Sequence, residues 1–458
     1  MTSVAVRLQA VPEPQANMLT ETLDLLRCPF CGTRLSVVDN AALERGPERI
    51  ESGVLGCECC AFPVVAGIPI LIADDATRDA MHALEAGRDD DALHMMLGLD
   101  GARLAAFRRL TAGAGQPTYR ELLGVLCLDA EADYMLPRFS DPTYLLIEAL
   151  LDALGRSRHP KTTGPPPSAV SQRPRSTGRP TPPGSASAPA VRALDLCGGS
   201  GHLTRALLRQ PAYTGAILAD VHFWKLWLAA CIVAPECEPV CCDANSPLPF
   251  ADGLFDTVLL SDAFPYIWHK RQLAAEMQRA APDDGVIVMP HLHSAHGENY
   301  SAGDTLSPAA YRDLFARWKP RLFDDRPLLT GVLDEGTLDL ANDVSPAECG
   351  HTPSVTLVAS RDRRLYRRHG VVERLDVTGI LTVNPLYRVE YADGVSRLTL
   401  TFPTAEYEDE FAVAKRYLPQ DVAVSADLRG AISAATVEAD YAELRRTRVL
   451  LDVPRRYC

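Results

Sequence analysis

Four groups of side chains in this 458-residue chain carry types and spacings that can do chemistry. Cys28 and Cys31, then Cys57 and Cys60, form two C-x2-C knuckles. Each knuckle puts two sulfurs on one turn, and together they supply four thiolates to one tetrahedral zinc ion. Cys59 competes with Cys60 for the last place. The second group is Cys197-Gly198-Gly199-Ser200-Gly201, which follows the apolar run Ala193 to Leu196 with its single acid, Asp195. Glycines let the backbone turn sharply and let a ligand touch it, and the helix start after them offers free N–H groups. The third group is a pair of acids at the ends of the next apolar runs, Asp220 and Asp243. A carboxylate at the tip of a second strand can accept both hydroxyls of a ribose. Val221 and His222 follow it, placed to flank an adenine, and Asp243, next to Ala244, can accept from an exocyclic amine. The fourth group is Tyr266 and His269, then His291, His293 and His296. Histidine titrates near neutrality and suits a general base, and H-x-H-x2-H could also hold a metal. Each of these side chains also has a plain reading as a polar loop residue.

Elements must position these groups. The chain from Ala193 onward alternates apolar runs and amphipathic stretches, the signature of a parallel sheet with crossover helices. Strands are expected at 193–196, 216–220, 239–244, 255–262 and 286–289, with another at 354–360. Helices are expected at 202–209, from Phe223, at 270–281 and at 308–318, the last inside an insertion, 297–350, placed to cover a substrate. Upstream, helices are expected at 80–99, 102–110, 119–128 and 142–154, the last with Asp141 as N-cap and Pro142 at its first position. They form a lid or a substrate wall. Downstream of about 365, strands at 371–377, 380–383, 387–391 and 396–402, with a turn at Ala392-Asp393-Gly394, and helices at 408–417 and 437–445 describe an α+β unit.

The order of these motifs resembles class I S-adenosylmethionine-dependent methyltransferases of the type-11 kind. Asp195, Gly198, Gly199 and Gly201 match the first motif, Asp220 the ribose-binding acid and Asp243 the adenine-side acid. F-D-T-V-L-L-S-D, containing Ser261, and P-D-D-G-V-I-V-M match the fourth-strand and fifth-strand motifs. The resemblance covers about Val191 to Met289 and implies S-adenosylmethionine as cofactor. Cys197 stands where the first glycine of the family's loop is usual, as in quinone-pathway C-methyltransferases, and this leans toward small-molecule substrates. Residues 25–71, with C-P-x-C-G at the start and F-P-V-V-A-G-I-P-I-L at the close, resemble the small zinc-ribbon proteins that activate methyltransferases. That likeness implies a structural zinc and a protein partner reached through the ribbon. Ala66 stands where that family usually has Asp.

The expected architecture is therefore α/β: a zinc ribbon (21–75), a helical segment (76–155), a linker (156–190), a Rossmann-like methyltransferase sheet (191–362) and a C-terminal α+β unit (363–458). The linker reading rests on nine prolines and six Lys/Arg with no acid. Residues 1–20 read as a loose leader without a secretion signal. Net charge is −13, which argues against a broad phosphate-binding face. No stretch approaches the roughly 20 apolar residues of a membrane span. Thirteen cysteines without a secretion signal point to a reducing cytoplasm. The leading reading is a cytoplasmic enzyme that methylates carbon or oxygen of a small molecule. An RNA methyltransferase with a zinc ribbon, kept open by the basic linker, and a non-catalytic scaffold of the same fold are the rivals.

Overall fold

The computed structural model describes residues 18–40, 44–46, 48–113, 115–127, 130–158, 192–298, 301–373, 376–430, 432 and 441–458. The expected leader up to residue 17 and nearly all of the expected linker lie outside them; the leader's last residues form a strand instead, with Met18 and Leu19 paired to Ile50 and Arg49. The helix Pro142–Arg158 runs three residues into that linker.

A seven-stranded sheet organises the chain. Its strands are β1 (Arg192–Leu196), β2 (Gly215–Asp220), β3 (Glu238–Cys241), β4 (Thr257–Leu259), β5 (Val286–His293), β6 (Pro320–Asp324) and β7 (Ser354–Ser360), in the order β6-β7-β5-β4-β1-β2-β3. β7 alone is antiparallel to its neighbours β5 and β6. The apolar runs bury both faces, as parallel strands must. Alternate residues go to different cores: Leu259, Val286 and Val288 to one face, Val258, Ile287 and Met289 to the other. The chain leaves β1 toward β2 on one side and later reaches β4 on the other. That switch opens a crevice beyond the carboxyl ends of β1 and β4.

The helices of 75–158 pack on the first face, where Leu150 and Leu154 share a core with Leu207 and Trp227. The expected single helix at 80–99 is two, Asp75–Glu85 and Asp89–Met96. Gly87, at φ +70°, breaks it. The insertion contains β6, which no strand had been assigned to; its five residues hide between Trp318 and the helix Asp325–Thr330.

The ribbon is a six-stranded antiparallel sheet around Arg49–Gly56. Ala66 and Gly67 both take positive φ, the two-residue turn that joins Val65 to Ile68. The ribbon then seals the β3 edge: Leu71 N–H donates to the Cys241 carbonyl at 2.7 Å, and Arg27 N–H to that of Pro249 at 2.9 Å. An open strand edge invites aggregation, so the contact the ribbon makes here is inside its own chain.

In the C-terminal unit, Tyr387–Ala392, Val395–Leu400 and Asp421–Val424 form a small sheet over Tyr407 and Phe411. The strand expected at 371–377 lies elsewhere, at Arg368–Gly370, paired with Thr337–Asp339. Helix Ala405–Glu410 gives way to a tighter turn at Ala412–Arg416, and Ala442–Arg446 is the described part of the last expected helix. No helix of the described residues is long and apolar enough to cross a membrane.

Candidate active site

The glycine loop is built for close approach. Gly199 and Gly201 take φ +57° and +79°, and Cys197 shares that left-handed region at +57°. A Cβ on Gly198 would lie 2.5 Å from Leu218 Cδ1 and 2.6 Å from Asp195 Cγ. Asp195 sits fully buried beneath the loop, accepting from the Thr204 hydroxyl at 2.6 Å. Burial pushes its carboxyl up to about 7, against the Thr204 hydrogen bond.

Asp220 closes β2. One oxygen accepts from Gly199 N–H at 3.0 Å, the other from His222 N–H at 2.9 Å, with His222 Nδ1 at 3.1 Å. Burial opposes its charge, but the His222 hydrogen bonds hold the carboxyl below its ordinary value. Val221 and His222 are exposed above it. Asp243 lies two residues past the end of β3 and accepts from Asn245 N–H at 2.8 Å, with Ala244 buried beside it. These residues form one rim along the carboxyl edge. Asp195 Oδ1 and Ser261 Oγ are buried there without hydrogen-bond partners. Orphaned polar atoms and a cradle that a Cβ would fill fit a bound nucleoside-type cofactor.

The rim continues into a second region. β5 carries a bulge between Met289 and Leu292, and His291 takes φ +54° within it. A bulge re-aims side chains. His293 Nε2 stands 3.1 Å from Asp262 Oδ1, and His291 Nδ1 stands 3.4 Å from Asp325 Oδ2. The two imidazoles meet edge to face, 4.8 Å apart. Burial opposes the Asp262 charge, yet His293, His291 and Arg138 hold its carboxyl at about 2. Burial likewise opposes protonation of His291, and the Asp325 and Asp262 carboxylates overrule it, raising it to about 9.

A cavity of about 310 Å³ opens on this pair. Pro142 and Leu146 of the helical segment, Leu329 of the insertion and Glu410, Phe411 and Arg416 of the C-terminal unit wall it. Three units that are remote in sequence thus meet over the end of β5 and the neighbouring ends of β6 and β7, at Asp324 and Ser354.

Tyr266 and His269 do not join them. Tyr266 is 55% exposed. His269 is tied by Nδ1 to the Asn245 carbonyl at 2.8 Å, beside the Asp243 turn. His296 is exposed. Asp262, Asp325, Arg138 and Glu410 were not singled out from sequence. Asp262 had a signal, since it ends the fourth-strand motif; the other three carry none that is local.

In the ribbon, Cys28, Cys31, Cys57 and Cys59 bring their sulfurs within 4.8 Å of one another. Cys59 takes the place expected for Cys60: its sulfur joins the cluster, while Cys60 Sγ lies 3.4 Å from Cys59 Sγ and the backbone N–H groups of both residues point at Cys57 Sγ. Sulfur separations of 3.8 Å (Cys28 to Cys59), 3.7 Å (Cys31 to Cys57) and 3.5 Å (Cys57 to Cys59) match the edges of a tetrahedron. A zinc ion bonded to sulfur at about 2.3 Å needs edges of about 3.8 Å.

Residues 193–285 match the family model described as a methyltransferase domain. The ubiquinone/menaquinone biosynthesis C-methyltransferase UbiE of Ralstonia nicotianae is 32% identical over 108 residues, 22% of this chain and 43% of that protein. The protein of the same name from Cupriavidus necator is also 32% identical over 108 residues. The chain thus spans 43% of the length of these curated relatives. Among solved structures, YcgJ from Bacillus subtilis aligns over 38% of this chain and 93% of its own, at 14% identity and TM-score 0.26. A complex of the Haloferax volcanii Trm112 methyltransferase activator with a methyltransferase aligns over 38% of this chain and 84% of that one, at 16% identity and TM-score 0.28.

Proposed function

We propose that the class I methyltransferase domain in this chain uses S-adenosylmethionine to methylate a carbon or oxygen atom of a small molecule, held in the cavity beside His291 and His293. One observation carries this reading. The glycine loop, Asp220 and Asp243 line the same carboxyl edge of the sheet as the His291/His293 pair, and Ser261 and Asp262 connect the two regions.

When bound, S-adenosylmethionine supplies an electrophilic methyl on a sulfonium that is already a good leaving group. Asp220 would hold the ribose hydroxyls, with Val221, His222, Asp243 and Ala244 on the adenine side. Asp195 acts from beneath, tied to the helix after the loop through the Thr204 hydroxyl. The remaining task is orientation, which can supply much of the rate. A carbon or oxygen acceptor must also lose a proton, and the two imidazole–carboxylate pairs border the cavity where it would leave. Glu298, Asp324, Asp325 and Glu410 line that cavity against Arg326 and Arg416. An acidic lining favours a small acceptor over a phosphate-rich strand. We assign a structural zinc to Cys28, Cys31, Cys57 and Cys59. Thirteen cysteines in a chain that reads as lacking a secretion signal suit a reducing compartment, and so a cytoplasmic protein.

Calorimetry with S-adenosylhomocysteine tests the cofactor, and transfer of labelled methyl into separated small-molecule fractions of a lysate tests the acceptor. Wild type should bind, and Asp220→Ala should weaken binding by about tenfold or more, ~1.4 kcal/mol. No binding by wild type would sink the reading. Label found in RNA alone would overturn the small-molecule acceptor.

A further inference from the structure

His291 and His293, which line the cavity, form with the neighbouring Asp262 a ligand set. One nitrogen from each of His291 and His293 and one oxygen of Asp262 lie within 4.8 Å of one another. The 3.1 Å from His293 Nε2 to Asp262 Oδ1 is the separation of neighbouring ligands around an ion held at about 2.1 Å, which is ~3 Å. His291 turns Nδ1 toward Asp325, which Thr356 fixes with a 2.6 Å hydrogen bond. A carboxylate behind an imidazole orients it for an ion, and Nε2 is the nitrogen left over. Asp262 and His291 both adopt left-handed backbone, φ +63° and +54°, strain of the kind that gathers at binding sites. His293 is buried, and its Nδ1 has no partner. Glu298, Asp324 and Glu410 add negative charge around the cavity, against Arg326 and an Arg416 that is paired with Asp334.

We propose that Asp262, His291 and His293 bind a divalent first-row transition-metal ion, separate from the thiol cluster, whose open positions face the cavity and take oxygen atoms of the methyl acceptor. Two imidazoles and one carboxylate with open positions suit such an ion, as four thiolates suit zinc. The acceptor is then a small molecule with a hydroxyl, enol or carboxylate oxygen beside the methylated atom. A hydroxyl bound to the ion loses its proton more readily. Ion binding stands on the three side chains, whereas the acceptor class rests on the methyl-transfer reading.

The test is equilibrium dialysis of the full chain against Zn²⁺, Co²⁺ or Mn²⁺ in turn, followed by elemental analysis. With at least one of these ions, wild type should hold about two ions per chain, and Asp262→Asn/His293→Gln and His291→Gln about one. The ion kept by the ribbon reports that each variant is folded. Equal ion content in wild type and both variants, for all three metals, overturns the proposal. Calorimetry with S-adenosylhomocysteine on the same samples separates the two readings. Cofactor binding with no second ion defeats this inference alone, and a second ion without cofactor binding defeats the methyltransferase reading.

Discussion

The hydroxyl of Tyr457 lies 2.7 Å from Nε2 of His202, the residue that follows the glycine loop. It also donates to the carbonyls of Met135 and Leu136, both at 3.1 Å, so His202 is the donor to it. Its ring stacks on Tyr119 at 4.7 Å. One phenol thus ties the C-terminal unit, the helical segment and the loop together. Tyr457→Phe keeps the stack and orphans three buried polar groups. It should cost about 1–3 kcal/mol in urea unfolding and weaken S-adenosylhomocysteine binding in calorimetry.

The same pair predicts a pH effect. Burial, helped by Arg138 and Arg205, pulls His202 down to about 3, whereas an unfolded histidine titrates near 6.5. Between those values the unfolded chain takes up the proton and the folded one does not. The native state therefore loses stability as pH falls through about 6.5, by up to ~1.4 kcal/mol per unit. His202→Phe removes this term. Relative to wild type, its unfolding free energy should rise steadily from pH 6 to pH 4, and parallel profiles would count against the account.

Gly198→Ala tests the loop. The new Cβ would meet Leu218 and Asp195 at 2.5 and 2.6 Å, so the loop must shift and Gly199 N–H must leave Asp220. Gly215→Ala is the control, since its Cβ would meet nothing within 4 Å. Calorimetry with S-adenosylhomocysteine should show a loss of about tenfold or more, ~1.4 kcal/mol, for the first variant and little change for the second.

The cofactor rim was legible because each of its parts is local. An apolar run that ends in an acid or in glycines is a strand reaching the carboxyl edge, and Asp195, Asp220 and Asp243 announce themselves that way. The cavity was not legible, because its walls meet only in three dimensions. Nothing near Asp325 says that it faces His291, and nothing near Phe411 says that it closes over β5. Tyr266 and His269 had the same local credentials as His293. Loop direction separated them, since His269 is held by Asn245 and His293 by Asp262. The choice between Cys59 and Cys60 turned on which sulfur the turn after Cys57 carries into the cluster, a detail that spacing does not encode.

That choice can be checked by paired substitutions. Cys59→Ser should release the ribbon's metal in elemental analysis, and Cys60→Ser should retain it. Because Leu71 pairs with Cys241 of β3 and Leu26 is fully buried against the sheet, metal loss should not stay local. Cys59→Ser is expected to lower the melting temperature of the whole chain and expose the β3 edge to aggregation. A separate low-temperature transition with the main one unmoved would show that the ribbon and sheet are uncoupled.

Arg138 offers the last test. Its guanidinium donates to Asp141 at 3.1 Å and to Thr143 at 3.3 Å, and Asp141 is itself the N-cap that accepts from Tyr144 N–H at 2.6 Å. The Asp141 side chain is 1% exposed, so its charge depends on that partner. Arg138→Met keeps the bulk and removes the cation, leaving a buried carboxylate uncompensated. Breaking such a pair from one side costs about 3–5 kcal/mol, which urea unfolding would read directly. Arg138 also helps hold Asp262 ionised, so the same variant should raise the Asp262 carboxyl above its value of about 2, measurable by NMR titration. Asp141→Asn/Arg138→Met removes both charges together. It should recover part of the lost stability, and no recovery would mean that packing, not charge, makes Arg138 necessary.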